Sequence, residues 1–207
     1  MRLFFGLLLA ASVLAGGDVL SVFGYQWSVV SGPDWRIRSE NGAQVLQLVT
    51  PLDPLPGPRR PIQFALAQTP DFSRVSLELD AKPRRRSLIL AFAYRDPAHF
   101  DYAHLSIDTG IQQPMHTGIF HVFGGERVRI SSQSGPAAFP ETDHWYHIIL
   151  KHDGETGTVD VSVDGRAVPA LRAVDLSLTS GRIGLGSFDE VGDFRNVRIA
   201  GVPARPN

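Results

Sequence analysis

The chain has 207 residues, room for one domain of ordinary size or one large β domain but not for two full ones. Its 43% hydrophobic and 20% charged residues are a globular composition, and 20 Lys+Arg against 21 Asp+Glu leave a net charge of −1. Phosphate binding normally shows as a basic excess, so nucleic acid is not expected as a partner. The sequence has no Cys, which excludes disulfides, zinc–thiolate sites, cysteine nucleophiles and a lipidated N-terminal Cys.

Arg2 supplies a short positive region, and residues 3–14 form an apolar run broken only by Gly6 and Ser12. Val13 and Ala15 then offer small residues at the −3 and −1 positions of a cleavage site. The pattern is that of a secretory signal peptide over residues 1–15, with a mature domain over 16–207. The run is shorter than the ~20 residues that span a bilayer, and no second long apolar run follows. A secreted or periplasmic protein without a transmembrane segment is therefore expected. Cleavage removes Arg2 and no acid, taking the net charge from −1 to −2.

The remainder reads as strands. Period-two patterns recur over residues 35–38, 44–49 and 62–67, with Asn41-Gly42 as a hairpin turn between the first two. Residues 51–61 hold five prolines and read as an extended loop. Residues 75–82 alternate strictly, with Val75, Leu77, Leu79 and Ala81 on one face. Residues 87–95 are apolar on both faces, and 102–108 alternate again. Gly124-Gly125 joins 119–123 to 127–131; Asp164-Gly165 turns the chain after 158–164, which follows 145–151; 182–188 and 194–199 close it. A dozen or so short strands, with turn signals every ~8–12 residues, predict an all-β antiparallel sandwich or barrel. The two ends of such a chain can pair as neighbouring strands. The 20 Gly and 15 Pro fit so many turns.

Several segments carry a resemblance. Residues 27–35 with Asn41-Gly42, residues 70–79, and residues 144–150 with the turn at Asp164-Gly165 each look like pieces of one superfamily. Gly181-Arg-Ile-Gly-Leu-Gly186 followed by Phe194-Arg-Asn-Val-Arg-Ile199 is the most specific. In order and spacing they resemble the laminin-G-like and 3-keto-disaccharide-hydrolase-type domains of the concanavalin A-like lectin/glucanase superfamily. The resemblance implies a jelly-roll of two packed sheets, one with a concave outer face that often holds saccharide. Fold alone does not settle function.

In a sandwich, alternate residues point away from the core. That places Glu78 and Asp80, then Tyr102, His104, Ser106 and Asp108, then Trp145, His147 and Lys151 outward. Arg95 ends an apolar strand. His121 is outward only if Phe120 and Val122 face inward, which the pattern leaves open. If these strands share the concave sheet, they present carboxylates, imidazoles, an Arg and aromatic rings to a sugar; otherwise they are ordinary solvated faces. Glu78 and Asp80, at i and i+2, lie ~6.5–7 Å apart on one face and are candidates for a hydrolytic pair. The Glu-x-Asp-x-x-Glu of retaining superfamily glucanases is broken, because Pro83 holds the third acid position.

Arg95, Tyr102 and His104 are a second candidate set, able to neutralise a uronate and abstract a proton in a β-elimination. His121, His147, Trp145 and Asp108 are candidate substrate contacts, and His99, His104, His116, His121 and His147 are grouped as residues able to share one rim or face. No His-x-Glu-x-x-His spacing occurs, so zinc is not indicated, although scattered His and Asp leave a metal site without a motif open. No cofactor is expected. Calcium is open to Asp175, Asp193 or the Asp164 turn as a family trait, without a calcium-loop signature. Eighteen of the 20 basic residues are Arg, the better bidentate partner of carboxylate and sulfate, which leaves acidic glycans open. The sequence thus predicts a secreted domain that binds a poly- or oligosaccharide. A hydrolase or lyase on the same face, and a structural or adhesive module without a sugar site, are the alternatives.

Overall fold

A computed structural model describes residues 17–51 and 60–205. The signal-peptide segment and most of the Pro-rich loop lie outside the described residues. Fifteen strands are described: β1 Asp18–Val22, β2 Tyr25–Val29, β3 Trp35–Glu40, β4 Ala43–Leu48, β5 Gln63–Ala67, β6 Phe72–Pro83, β7 Ser87–Asp96, β8 His99–Ser106, β9 Gly118–Phe123, β10 Glu126–Arg129, β11 Tyr146–Asp153, β12 Thr158–Val163, β13 Arg166–Val174, β14 Arg182–Ser187 and β15 Gly192–Pro203. A short 3₁₀ turn, Gly32–Asp34, is the one helical piece among them. Sheet A has the order β1-β2-β5-β14-β7-β8-β9-β10, and sheet B the order β13-β12-β11-β6-β15-β4-β3. All the strand pairs are antiparallel.

The tight turns explain the registers. Two-residue hairpin loops match the twist of their strands when both residues adopt positive φ, which favours Asn, Asp and Gly. Asn41 and Gly42 (φ 51° and 80°), Gly124 and Gly125 (60° and 87°), and Asp164 and Gly165 (50° and 72°) all do so, as the sequence suggests. Phe23 and Gly24 (61° and 80°) make a fourth such turn, which a Phe conceals from sequence reading. The β1–β2 hairpin it creates carries Trp27, fully buried, whose indole Nε1 donates to the Val22 carbonyl at 3.1 Å.

The sheets meet through the inward residues of each strand. Leu77, Leu79, Ile148, Leu150 and Phe194 from sheet B face Leu88, Leu90, Ala103, Leu105 and Leu185 from sheet A, all 1% exposed or less. Each large apolar side chain so buried contributes about 1.5–3 kcal/mol, so this layer outweighs any single surface contact. The first and last described strands do not pair with each other. β1 lies at one edge of sheet A, while β15 lies inside sheet B between β6 and β4. The long β6–β15 pairing, from Gly192↔Pro83 to Pro203↔Phe72, puts the C-terminal strand there instead.

Sheet B holds one wholly buried acid. Asp193 on β15 is 0% exposed, and its Oδ2 meets Arg84 Nη2 at 2.7 Å, Arg38 Nη2 at 2.8 Å and Lys82 Nζ at 3.5 Å. Removing the acid leaves three cations without their common partner. Because both Arg side chains are about a third exposed, Asp193→Ala should cost near the lower end of what breaking a buried pair costs, about 3 kcal/mol. Urea unfolding of the two proteins measures the difference; a loss below about 1 kcal/mol would show that water replaces the acid.

Candidate functional site

The outer face of sheet A is not a solvated strand face. Ile89, Ala91, Phe100, Tyr102, Phe120 and Val122 point away from the inter-sheet core yet are each 0% exposed. They form a second apolar cluster with Phe64 and Tyr94, against which Met115 and Phe188 pack from the loops after β8 and β14. Tyr102 stacks on Phe120 at 5.1 Å between centroids, and Phe64 meets Phe100 edge-on at 5.5 Å. In the middle of the face, Gly184 on β14 carries no side chain, and a Cβ there would lie 2.7 Å from the Leu66 side chain and 3.3 Å from Ala91 Cβ.

Next to this cluster is a pocket of about 400 Å³ lined by Ser28, Val30, Ile62, Phe64, Tyr94 and Phe100 among others. The Arg182 guanidinium lies 5.4 Å from the Tyr94 ring centre. Arg60 is tied nearby, its Nε donating to the Pro97 carbonyl at 2.7 Å. Burial raises the Tyr94 pKa, so at neutral pH its hydroxyl stays protonated, able both to donate and to accept.

The other half of the face is more polar. Arg127 on β10 donates to the Tyr102 hydroxyl at 3.4 Å and covers the Phe188 ring at 4.6 Å. Burial pushes the Tyr102 pKa up to about 12, which disqualifies it as a ready proton acceptor at neutral pH. His104 lies beneath Phe188, nearly parallel to it at 6.2 Å, and 4.9 Å from the His116 ring. It is 3% exposed, and neither ring nitrogen has a hydrogen-bond partner at good geometry among the described residues. Burial, then the charges of His116 and Arg127, hold its pKa well below the usual value, against a smaller opposing effect of the Met115 backbone.

His116 Nδ1 lies 2.9 Å from Asp108 Oδ2 and 3.2 Å from Ser106 Oγ. The residue types are those of a hydrolase triad, but the geometry is not. A triad sets one ring nitrogen against the acid and the other against the nucleophile, whereas here both contacts fall on Nδ1.

The acids named as candidates for a hydrolytic pair lie on the opposite side of the molecule from Tyr102 and His104. β6 and β11 belong to sheet B, so Glu78, Asp80, Trp145 and His147 share that outer face and are separated from Tyr102 and His104 by the whole sandwich. The condition that these strands share one sheet is therefore not met. His147 bridges the acids, with Nδ1 3.1 Å from Asp80 Oδ1 and Nε2 3.5 Å from Glu78 Oε1. Asp80 also accepts from Arg195 Nε at 3.0 Å and Asn196 Nδ2 at 2.8 Å, and Glu78 is 3.5 Å from Arg198. Burial acts to raise the Asp80 pKa, but the bonds from His147, Asn196 and Arg195 together lower it. Trp145 sits under Arg195 at 4.1 Å and Lys82 at 4.5 Å, its Nε1 donating to Glu40. This face is a lattice of ion pairs, and neither acid lines the pocket.

Arg95 is exposed at the end of β7 and points to the Ser180 carbonyl at 3.4 Å, while Tyr102 pairs with Ala91 four residues earlier on that strand. His121 faces inward and pairs with Asp101. The grouping of five histidines on one rim therefore does not hold: His104 and His116 meet, His121 is inside, and His147 is on sheet B. Of the acids open to calcium, Asp193 is taken by three cations and Asp164 Oδ1 accepts the His147 amide at 2.9 Å. Asp175 joins Asp101 and His121 in the one group of metal-ligand type among the described residues. Sequence reading passed over Phe64, Tyr94, Phe100, Arg127 and Phe188. The signal for Tyr94 was present, because residues 87–95 read as a strand apolar on both faces.

No protein-family model matches the sequence, and no curated protein does. Solved structures do. The chain is similar to the carbohydrate-binding module CBM66 from Bacillus subtilis, with a TM-score of 0.60 and 16% identity over 84% of this chain and 95% of that one. It is similar to a mutant of the GH43 protein BlXynB from Bacillus licheniformis (TM-score 0.55, 10% identity, 89% of this chain and 38% of that one). It is also similar to the Trypanosoma rangeli sialidase solved with the inhibitor DANA (TM-score 0.50, 11% identity, 91% of this chain and 29% of that one). At these identities the likeness shows a fold: the chain is an all-β, two-sheet antiparallel jelly-roll.

The neutral, enclosed His104 generates a pH dependence. Its folded pKa lies below its unfolded value of ~6.5, so the unfolded chain binds the extra proton and stability falls as pH drops through and below that value. Each proton so linked contributes a slope of about 1.4 kcal/mol per pH unit. His104→Phe should flatten the stability profile between about pH 6 and pH 5 by roughly that slope. Urea midpoints across the range measure it, and parallel profiles for the two proteins would count against an uncharged, enclosed imidazole.

Proposed function

We propose that this chain is a secreted carbohydrate-binding domain that takes a poly- or oligosaccharide on the outer face of sheet A, read as the concave face. The observation that carries the reading is the aromatic recess of about 400 Å³ beside Tyr94, on a face whose central outward residues are buried. Pyranose rings present C–H faces to aromatic and aliphatic walls and hydroxyls to a few placed polar groups. Phe64, Tyr94, Val30 and Ile62 supply walls; the Tyr94 and Ser28 hydroxyls and the cations of Arg182 and Arg60 supply partners. Those two Arg side chains favour glycans with carboxylate or sulfate groups. Likeness to a carbohydrate-binding module over almost its full length supports the class, and the apolar run behind Arg2 supports export.

Binding without turnover is the reading this geometry favours over an enzyme. Glu78 and Asp80 are tied up in ion pairs on the far face, Tyr102 is a poor base, and His116 engages both its partners through one nitrogen. A glycan array followed by calorimetry on each hit tests the proposal. Tyr94→Ala should weaken binding by about tenfold or more, the scale of a buried aromatic anchor. Arg182→Ala should weaken binding to uronate or sulfated glycans more than to neutral ones. Release of shorter products from a bound glycan would instead establish an enzyme. Binding that survives Tyr94→Ala but fails in His147→Ala would move the site to sheet B.

A further inference from the structure

At one end of the sandwich, three side chains of metal-ligand type converge between the sheets. Asp101 on β8 and His121 on β9 are direct cross-strand partners in sheet A, and Asp175 follows β13 of sheet B. His121 Nδ1 lies 2.7 Å from Asp101 Oδ1 and 3.2 Å from Asp175 Oδ2, and one donor atom from each residue lies within 4.8 Å of the others. Asp101 is 1% exposed and His121 8%. Asp175 is positioned by Ser177, whose backbone N–H and hydroxyl both donate to Oδ1, leaving Oδ2 turned toward His121.

The charge at this place does not balance. One buried carboxylate and one partly exposed carboxylate share one imidazole, so even a protonated His121 leaves one negative charge over. Among the described residues neither acid is paired with an Arg or Lys, in contrast to Asp193 with its three cations. The hydrogen bonding is also incomplete. Asp175 Oδ2 is buried and accepts no hydrogen bond, although a stranded acceptor of this kind is costly. On the inner side of β11, His152 is 3% exposed, its Nδ1 has no partner, and the field of Asp175 acts on its ring.

We propose that Asp101, His121 and Asp175 bind a divalent transition-metal ion of the zinc class, clamping sheet A to the end of β13. One imidazole nitrogen and two carboxylates suit zinc, whereas calcium and magnesium prefer all-oxygen shells. Donors bonded to one ion at ~2.0–2.2 Å sit about 3–3.5 Å apart, so the two spacings from His121 need only a slight adjustment. On binding, Nδ1 gives up its proton to solvent and the ion takes its place between the carboxylates. With three protein ligands, a tetrahedral ion keeps one position for water. The site lies between the sheets and stands independently of the saccharide reading.

The full mature chain, stripped with chelator and dialysed, is titrated with zinc sulfate in competition with a chelating dye. One equivalent of zinc should bind, raise the Tm and shift the His121 ring nitrogens in ¹⁵N NMR. Asp175→Asn should weaken zinc binding by about tenfold or more, while His144→Ala, which removes an exposed surface imidazole, should not. Absence of binding by the unaltered chain overturns the proposal. So does binding that leaves the His121 nitrogens unshifted, a result that needs no variant to fold, and so does affinity that Asp175→Asn leaves intact.

Discussion

Burial between the two sheets fixes the phase of every strand. Once Leu77 and Leu79 face Leu90 and Leu105, the period of two decides where each remaining side chain points. Sheet B meets that constraint in the ordinary way, with its second face covered by ion pairs. Sheet A does not, because the residues it turns away from the core are again apolar and again buried. An antiparallel sheet with two dry faces needs a cover on its outer side, and here Met115, Phe188 and the Arg127 side chain supply part of it. The recess beside Tyr94 is where that cover stops.

The contrast between the faces divides the chemistry. On sheet B, opposite charges lie close together, and apart from the buried Asp193 group the exposed pairs, such as Arg198–Glu78 and Arg172–Asp160, each contribute little. Glu40 belongs to this sheet: its bonds from Arg38 and Trp145 bring its pKa down to about 2, a firmly ionised acid with no proton to give at neutral pH. On sheet A the ionisable groups are few and enclosed. Burial keeps His104 neutral and Tyr102 protonated, so the face offers stacking surface and hydrogen-bonding groups of fixed state. Such a face suits recognition of a ligand better than proton transfer to it.

The fold class was legible because its signals are local. Asn41-Gly42, Gly124-Gly125 and Asp164-Gly165 mark turns by their chemistry, and the alternation of residues 75–82 marks a half-buried strand. Sheet membership was not legible. Glu78 and His104 look alike in sequence, each polar and opposite a row of apolar residues, yet they lie on opposite sides of the molecule because β6 pairs with β11 and β15 while β8 pairs with β7 and β9. Pairing partners are set by long-range packing, which no short window contains. The apolar-on-both-faces strand at residues 87–95 did carry the key fact, since such a strand cannot border water on either side. His121 shows the complementary limit: in a strand apolar on both sides of the pleat, alternation cannot tell which face is the core.

An enclosed carboxylate persists as an anion only beside compensating charge. Asp193 meets that need from its own sheet, because β3, β6 and the turn after β6 bring Arg38, Lys82 and Arg84 to one oxygen. Asp101 and Asp175 lie where sheet A meets the end of sheet B, and the described strands there bring no Arg or Lys to them. A divalent ion supplies from outside the positive charge that the fold supplies from within at Asp193. On this account the two places solve one electrostatic problem by different means, and both tie together strands that are far apart in the chain.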